Sequence, residues 1–522
     1  MKKRTKKLMA LLLAATLSGA LFAGCGGNVE QNADGSSAEQ PPAQTDGADE
    51  TEGTEGTGGT ERAEGEWDED PAEVTWMMWN VGGNANEEGI QKVEDALNEI
   101  TLSKINVKVD LQILDMGTYL TQMPMQVSAG DKIDLVTTFP AGAGSFSSML
   151  AAGQLKPIDD LMAEYGQETM ALIPKIVTNT TSADGSLYAL PVLTDYTSDV
   201  YFKVRTSLLE EAGMTADDVK TVDDITTVFE KIYAKHPDMK MISSGAQNIA
   251  LGDTPVDNLG TELLCVMVDK DPTKVVSYFE TDEYKEVLAR MQGWYQAGYV
   301  DKDIATRTDD PTSDITVACG IIGGNLLRVI GGDALAPEPN TTIKMADAYI
   351  STSLVSILTM AIPSSATEPE AAAKLMNLCY TDKDVKMLVS YGIEGENYTY
   401  AENGGLEVNA DSNYAPNTVG LFGNVLLCDS TRQELDAGYK MSEVDIDGLK
   451  YSPLLGFRIN TDAISSEVAA LNTVYEEYKG QILTGLADDA SYQAFIDKLY
   501  ANGLQTYIEE VQRQLDEWRA QQ

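Results

Sequence analysis

Order in this chain begins abruptly at Val74, and the pattern that follows decides the fold class. Val74-Thr75-Trp76-Met77-Met78-Trp79 reads as a strand. From Glu87 to Ile100 the apolar residues stand at Ile90, Val93, Leu97 and Ile100, a helical spacing. Ile105 to Leu111 alternates and reads as a second strand. Tyr119 to Ala129 is helical, Ile133 to Thr138 is a third short strand, and Phe146 to Ala152 is a further helix. Strands alternating with helices imply βαβ units and a mostly parallel sheet. In such sheets ligands bind outside the carboxyl ends of the strands. The end of the chain is different. Val468, Leu471, Val474, Tyr475, Tyr478 and Ile482 share one helical face, and Leu504, Ile508, Val511, Leu515 and Trp518 make an amphipathic final helix. These stripes read as packing surfaces that dock on the body.

What precedes Val74 is not a fold. Lys2, Lys3, Arg4, Lys6 and Lys7 form a basic start, and Leu8 to Leu17 is an apolar run too short to span a bilayer. Small residues then lead to Phe22-Ala23-Gly24-Cys25. Residues 1–24 read as a secretory signal. The site resembles a bacterial lipobox, with Phe22 where Leu is usual, and the resemblance implies lipidation of Cys25. Residues 25–73 are rich in Gly, Ser, Thr, Pro, Glu and Asp, with no apolar face to offset the entropy of ordering. They are expected to be a disordered, self-repelling tether.

Composition removes several function classes. With 522 residues the chain has room for two or three domains. Its 37 basic residues face 82 acidic ones, a formal charge of -45, so no nucleic-acid partner is expected. A single histidine, His236, argues against His triads and multi-His metal sites. Five cysteines without a CxxC pair argue against a Cys-ligated zinc or thioredoxin-type site. Cys265, Cys319, Cys379 and Cys428 lie in apolar stretches and read as buried thiols. Asp445-Ile446-Asp447-Gly448 lacks EF-hand spacing, so no metal and no other cofactor is expected.

From Val74 onward the segments resemble, in order, an extracellular solute-binding protein of ABC importers of the sugar-binding type. Leu150-Ala151-Ala152-Gly153-Gln154-Leu155-Lys156-Pro157-Ile158-Asp159-Asp160-Leu161 and Asp184-Gly185-Ser186-Leu187-Tyr188-Ala189-Leu190-Pro191 resemble two segments of the first lobe. Val200-Tyr201-Phe202-Lys203, with Phe202 in place of the usual Asn, resembles the opening of the second lobe. Ala361-Ile362-Pro363 followed by Glu368-Pro369-Glu370 resembles the return crossing. The C-terminal part resembles the extra domain of a Gram-positive lipoprotein subgroup. The resemblance implies an α/β fold of two hinge-linked, discontinuous lobes with a helical C-terminal extension. The lobes would comprise 74–193 with about 350–385, and 194–349 with about 386–455, followed by the extension 456–522. It implies a monomer that captures a small-molecule solute, an oligosaccharide, and delivers it to an ABC permease from a lipid anchor on the outer membrane face. Peptide or another polar solute stands as the alternative ligand, and a secreted carbohydrate-active enzyme as the alternative class; no ordered catalytic motif argues for the enzyme.

Candidate ligand contacts follow from strand ends and the resemblance together. Trp79 and Asn80 end the first strand, one suited to stacking on a sugar ring and the other to hydroxyls. Thr138 and Phe139 follow the third strand. Asp195 and Tyr196 follow Pro191 where sugar-binding relatives place a carboxylate. Asn325 follows a strand-like run, and Glu394 lies in a Gly-flanked loop. Trp294, on a helix, reads as core instead.

Overall fold

The computed structural model describes residues 67–81, 83–242, 256–301, 303, 318–325, 329 and 338–522. The leader, Cys25 and the tether up to residue 66 lie outside them. The chain first runs through β1 (Ala72–Asn80), α1 (Glu87–Ile105), β2 (Val107–Asp115), α2 (Met116–Ala129), β3 (Leu135–Thr137), α3 (Phe146–Ala151) and β4 (Ala189–Pro191). It then enters β5 (Asp199–Arg205), α4 (Val222–Tyr233), β6 (Val256–Asp257), β7 (Leu264–Met267), β8 (Asp271–Ser277), α5 (Asp282–Ala297), β9 (Cys319–Gly324) and β10 (Asn340–Ala346). It returns through β11 (Thr359–Ala361), α6 (Pro369–Thr381) and α7 (Lys383–Tyr391), and closes with α8 (Ser465–Ile482), α9 (Asp489–Ala501) and α10 (Leu504–Arg519).

The first lobe is built on a sheet of order β2-β1-β3-β11-β4. β1 pairs in parallel with β2 and β3, while β11 runs antiparallel to both its neighbours. β1 is covered on both faces. Alternation sends Trp76 and Met78 to one core with Val93 and Leu97 of α1, and Met77 and Trp79 to another with Tyr119 of α2 and Phe146 of α3. Local chemistry fixes α1: the Asn86 side chain accepts from Gly89 N at the start, and Asn106 ends it at φ 54. Asp134, fully buried, ties three segments. Its carboxylate accepts from Thr75 N at 3.1 Å, Thr367 N at 2.8 Å and Glu368 N at 2.9 Å, the last two at the start of α6.

The second lobe holds an antiparallel sheet of order β9-β5-β10, not the parallel sheet that strand–helix alternation suggests. Its core gathers Phe202, Ile225, Phe229, Ile321 and Trp294. Trp294 is 3% exposed and lies edge-on to Phe229 at 4.9 Å between centroids.

A third core joins distant parts of the chain. The antiparallel sheet β8-β7-β6 packs with α8, α9 and α10 around Val266, Phe279, Leu471, Phe495, Val511 and Leu515. α5 serves two cores, with Val287, Met291 and Trp294 turned to the second lobe and Tyr284 and Leu288 to the third. The turn after α8 touches the backbone of α5: a Cβ on Gly485, at φ +76, would stand 2.4 Å from the carbonyl carbon of Met291.

Two boundaries differ from the sequence expectation. Residues 386–455 were expected in the second lobe, yet Val389, Tyr414, Phe422 and Leu455 pack in the first lobe's core. Order also starts before residue 74. Trp67 Nε1 donates to Leu102 O at 2.8 Å, Asn106 Nδ2 donates to Glu69 O at 3.1 Å, and β1 begins at Ala72. The exposed carbonyls at the end of α1 give this short stretch its partners.

Candidate ligand-binding site

Three stretches of chain run side by side between the lobes. The first is 192–199, held to the first lobe by Leu193 N donating to Gly423 O at 2.9 Å and by Val425 N donating to Leu193 O at 2.8 Å. The second is 346–351, and the third is 449–452. Ile350 N donates to Lys450 O, and Ser452 N donates to Ile350 O, each at 2.9 Å. The end of β9 meets the first stretch, since Asn325, next after it, bonds to Asp195; in such folds ligands bind outside the carboxyl ends of the strands.

Asp195 sits at the centre of the first crossing and is 8% exposed. One carboxylate oxygen accepts from Thr197 N at 3.0 Å and Thr197 Oγ1 at 2.7 Å; the other accepts from the Tyr439 hydroxyl at 3.3 Å. Its main-chain oxygen accepts from Asn325 Nδ2 at 3.0 Å. Asp195 and Asn325, read separately from sequence, are therefore neighbours. A carboxylate has about four lone-pair sites, and three are taken, which leaves one open. Burial, then the adjacent Asp195 carboxylate, raises the Tyr439 hydroxyl above the ordinary tyrosine range and keeps it a donor.

A charged group stands beside it. Lys344 Nζ lies 2.6 Å from both Asp199 and Asp347, and Asp199 also accepts from Ala348 N at 3.3 Å. Burial opposes the Lys344 charge, but the two carboxylates outweigh it and raise its pKa. This triad locks the start of β5 to the end of β10, where the second crossing begins. Tyr201, on β5, feels Asp199 and Asp195, and burial raises its hydroxyl.

The other expected residues are engaged elsewhere. Trp79 is 3% exposed and packs on Phe139, with ring centroids 4.9 Å apart and planes at 53°. Neither ring offers a free face, because β1 is an interior strand with both faces covered; the expected stacking role of Trp79 is not what this packing presents. Thr138 is buried, and its hydroxyl pairs with Thr359 Oγ1 at 3.0 Å. Asn80 clamps its own turn, accepting from Gly83 N at 2.7 Å and donating to Gly83 O at 2.9 Å. Tyr196 is buried in the first lobe's core, its hydroxyl donating to Val192 O at 2.7 Å. Glu394 is exposed in a loop that Glu396 ties to Lys92 of α1, and no bond among the described residues joins it to the other candidates.

Tyr439, Lys344 and Tyr201 escaped the sequence reading. Nothing local marks Tyr439, which lies 244 residues from the Asp195 it meets. Lys344 had a usable signal, being a lone base between strand residues in an acidic chain. Among the described residues no group of three or more His, Cys, Asp or Glu could hold a metal ion. No described helix is long and apolar enough to cross a membrane.

Residues 453–520 match a domain of unknown function, DUF3502. The chain is 26% identical over 438 residues to a carbohydrate ABC transporter substrate-binding protein of Streptococcus pneumoniae serotype 4, covering 81% of this chain and 86% of that one. Its fold is similar to the crystal structure of an N-glycan transport solute binding protein from Streptococcus pneumoniae, with a TM-score of 0.70 and 22% identity over 85% of this chain and 98% of that one. It is also similar to a solute binding protein from Bifidobacterium longum infantis described as binding HMO and associated with an ABC transporter, with a TM-score of 0.59 and 15% identity over 86% and 99%. Both neighbours share the two-lobed architecture. The family model for bacterial extracellular solute-binding proteins spans residues 92–386, more than half of the chain, and the chain belongs to that family.

Proposed function

We propose that this protein captures a carbohydrate, an oligosaccharide, in the crevice between its lobes and delivers it to the membrane subunits of an ABC importer. It acts as a monomer and a binding protein, without turnover. The observation that carries this reading is the junction itself. Two separately cored lobes meet at the three crossings, where Asp195, Asn325 and Tyr439 converge with oxygen and nitrogen groups suited to sugar hydroxyls. Hinge closure about a ligand needs such a junction. The carbohydrate named for the Streptococcus relative supports the same ligand class.

Lipid on Cys25 would hold the chain at the outer face of the membrane. The tether enters at the start of β1, the end of that strand away from the crevice, so anchoring leaves the ligand site unobstructed. Cys25→Ala should release the protein or leave an unprocessed precursor; a processed, lipid-free form still retained at the membrane would overturn the anchor.

The test of the function is a thermal-shift panel of oligosaccharides and peptides on the chain from residue 26 onward. A ligand that binds only the folded state raises the melting temperature. At least one oligosaccharide should do so. A shift with peptides and none with any saccharide would replace the reading.

A further inference from the structure

Arg458 opens the C-terminal segment 453–520 and reaches back to the first lobe. Nη1 donates to Ser147 Oγ at 3.1 Å, and Nη2 donates to Thr180 O. The guanidinium carbon stands 4.8 Å from the centroid of the Phe146 ring. A guanidinium carries five N–H groups, so these two bonds leave three. Nε is buried with no partner.

Among the described residues no carboxylate pairs with Arg458, unlike several other arginines. Arg513 pairs with Glu510 and Glu517, Arg432 with Glu407 and Asp436, and Arg205 with Glu338. Arg458 has no such partner among the described residues. Burial alone acts on it and pushes its pKa down to about 10. In a chain with 82 acidic residues this is not for want of carboxylates. A half-buried cation without a counter-charge is costly, and an ionisable group perturbed by burial at a ligand edge is a functional-site candidate. The location agrees. Phe146 and Ser147 begin α3, which follows the carboxyl end of β3, the ligand edge of the sheet.

We propose that Arg458 is a ligand-contacting residue, supplied by the C-terminal segment to the rim of the first lobe, and that it takes the carboxylate of an acidic saccharide. This rests on the carbohydrate reading above and narrows it. The planar fork suits a carboxylate, Phe146 covers one face of the guanidinium, and the Ser147 hydroxyl, accepting from Arg458, keeps its own hydrogen to donate to the ligand. The segment of unknown function would thus contribute directly to specificity.

Calorimetry on the chain from residue 26 onward decides the matter, with trigalacturonate and 3′-sialyllactose as acidic probes and maltotriose and chitotriose as neutral ones. At least one acidic probe should bind more tightly than the neutral ones, and raised salt should weaken it. Arg458→Gln should lower that affinity by about ten- to a hundred-fold, the size of losing a charged hydrogen bond. Arg458→Lys should retain part of it, with an apo melting temperature close to the parent's. Equal binding of neutral and acidic probes, or equal losses for both in Arg458→Gln, would make Arg458 a brace only and leave the carbohydrate reading standing. Binding of no saccharide at all would overturn both.

Discussion

The first lobe and the C-terminal module are both well packed, but they reach that state differently. The first lobe pairs its central strand with neighbours that follow closely in sequence, as β1, α1 and β2 occupy a continuous run from Ala72 to Asp115, and the later residues 359–361 and 386–455 return to complete its sheet and core. The C-terminal module borrows its other half. Its helices after Ser465 cover β7 and β8, about two hundred residues earlier, and the outer face of α5. Both cores draw on distant segments, but all of the first lobe's lie before the terminal helices, its edge at Leu455 being the last, so loss of those helices leaves its sheet intact, whereas the C-terminal module's core fails when either half is removed.

The largest effect should come from removing one half. Ending the chain at residue 452 exposes Leu263, Val266, Phe279 and Tyr284, all buried under the terminal helices. The second lobe, sharing α5, should lose protection against hydrogen exchange along with β6, β7 and β8, while the first lobe's sheet stays protected. Full protection of α5 in the shortened chain would mean that the module is an independent addition. Within the first lobe, Trp79→Ala should cost about 3–5 kcal/mol in denaturant unfolding, as a large core truncation does. If Trp79→Ala leaves apo stability unchanged and abolishes saccharide binding instead, Trp79 belongs to the site rather than the core.

This contrast also explains what could be read from the sequence. α1 was legible because Ile90, Val93, Leu97 and Ile100 face the core at helical spacing and Asn86 caps the start. Trp294 was legible because a large aromatic on an apolar helix face is most often core; here its Nε1 also finds Thr226 Oγ1 at 3.0 Å. The final helices were legible as stripes, but not their partner, since nothing in residues 256–277 announces which helix will cover them. The proposed site was legible only in part. Asp195 and Asn325 are identifiable by type and place, but the Tyr439–Asp195 bond and the Lys344–Asp199–Asp347 group depend on tertiary approach. Trp79 shows a physical limit of the reading: a strand's carboxyl end also belongs to the core when helices cover both faces, and Trp79 is 3% exposed there.

A smaller effect comes from the seam where residues 386–455 join the first lobe. Lys386 of α7 is fully buried; its Nζ donates to Val419 O at 2.7 Å and Phe422 O at 2.6 Å and stands 3.6 Å over the Phe422 ring. Burial pulls its pKa down from the ordinary 10.5 to about 8. Below pH 8 both folded and unfolded chains hold the proton, and the folded state bears the full cost of the buried charge. Between about 8 and 10.5 the unfolded chain binds more protons, so this group's contribution to stability rises with pH, by on the order of 3 kcal/mol at most. Lys386→Met should lack that rise when chemical unfolding is compared at pH 8 and pH 10. The same slope in both proteins would assign it to other groups.

The smallest effect lies at the start of the first lobe. Trp67 remains 44% exposed, so its hold on the body is mainly one hydrogen bond, from Nε1 to the carbonyl of Leu102. That carbonyl belongs to the last turn of α1, where helix geometry supplies no internal partner and water competes for the bond. A single bond of this kind is worth about 1 kcal/mol, set against the entropy of ordering residues 67–71. Trp67→Ala should therefore lower the unfolding free energy by about 1 kcal/mol or less and speed proteolysis just before Ala72. It should leave saccharide affinity unchanged, because this stretch joins β1 at the end away from the crevice. A loss of affinity on trimming to residue 74 would mean that the entry of the tether is coupled to the lobes' closure, and the first lobe would then be less self-contained than its local packing implies.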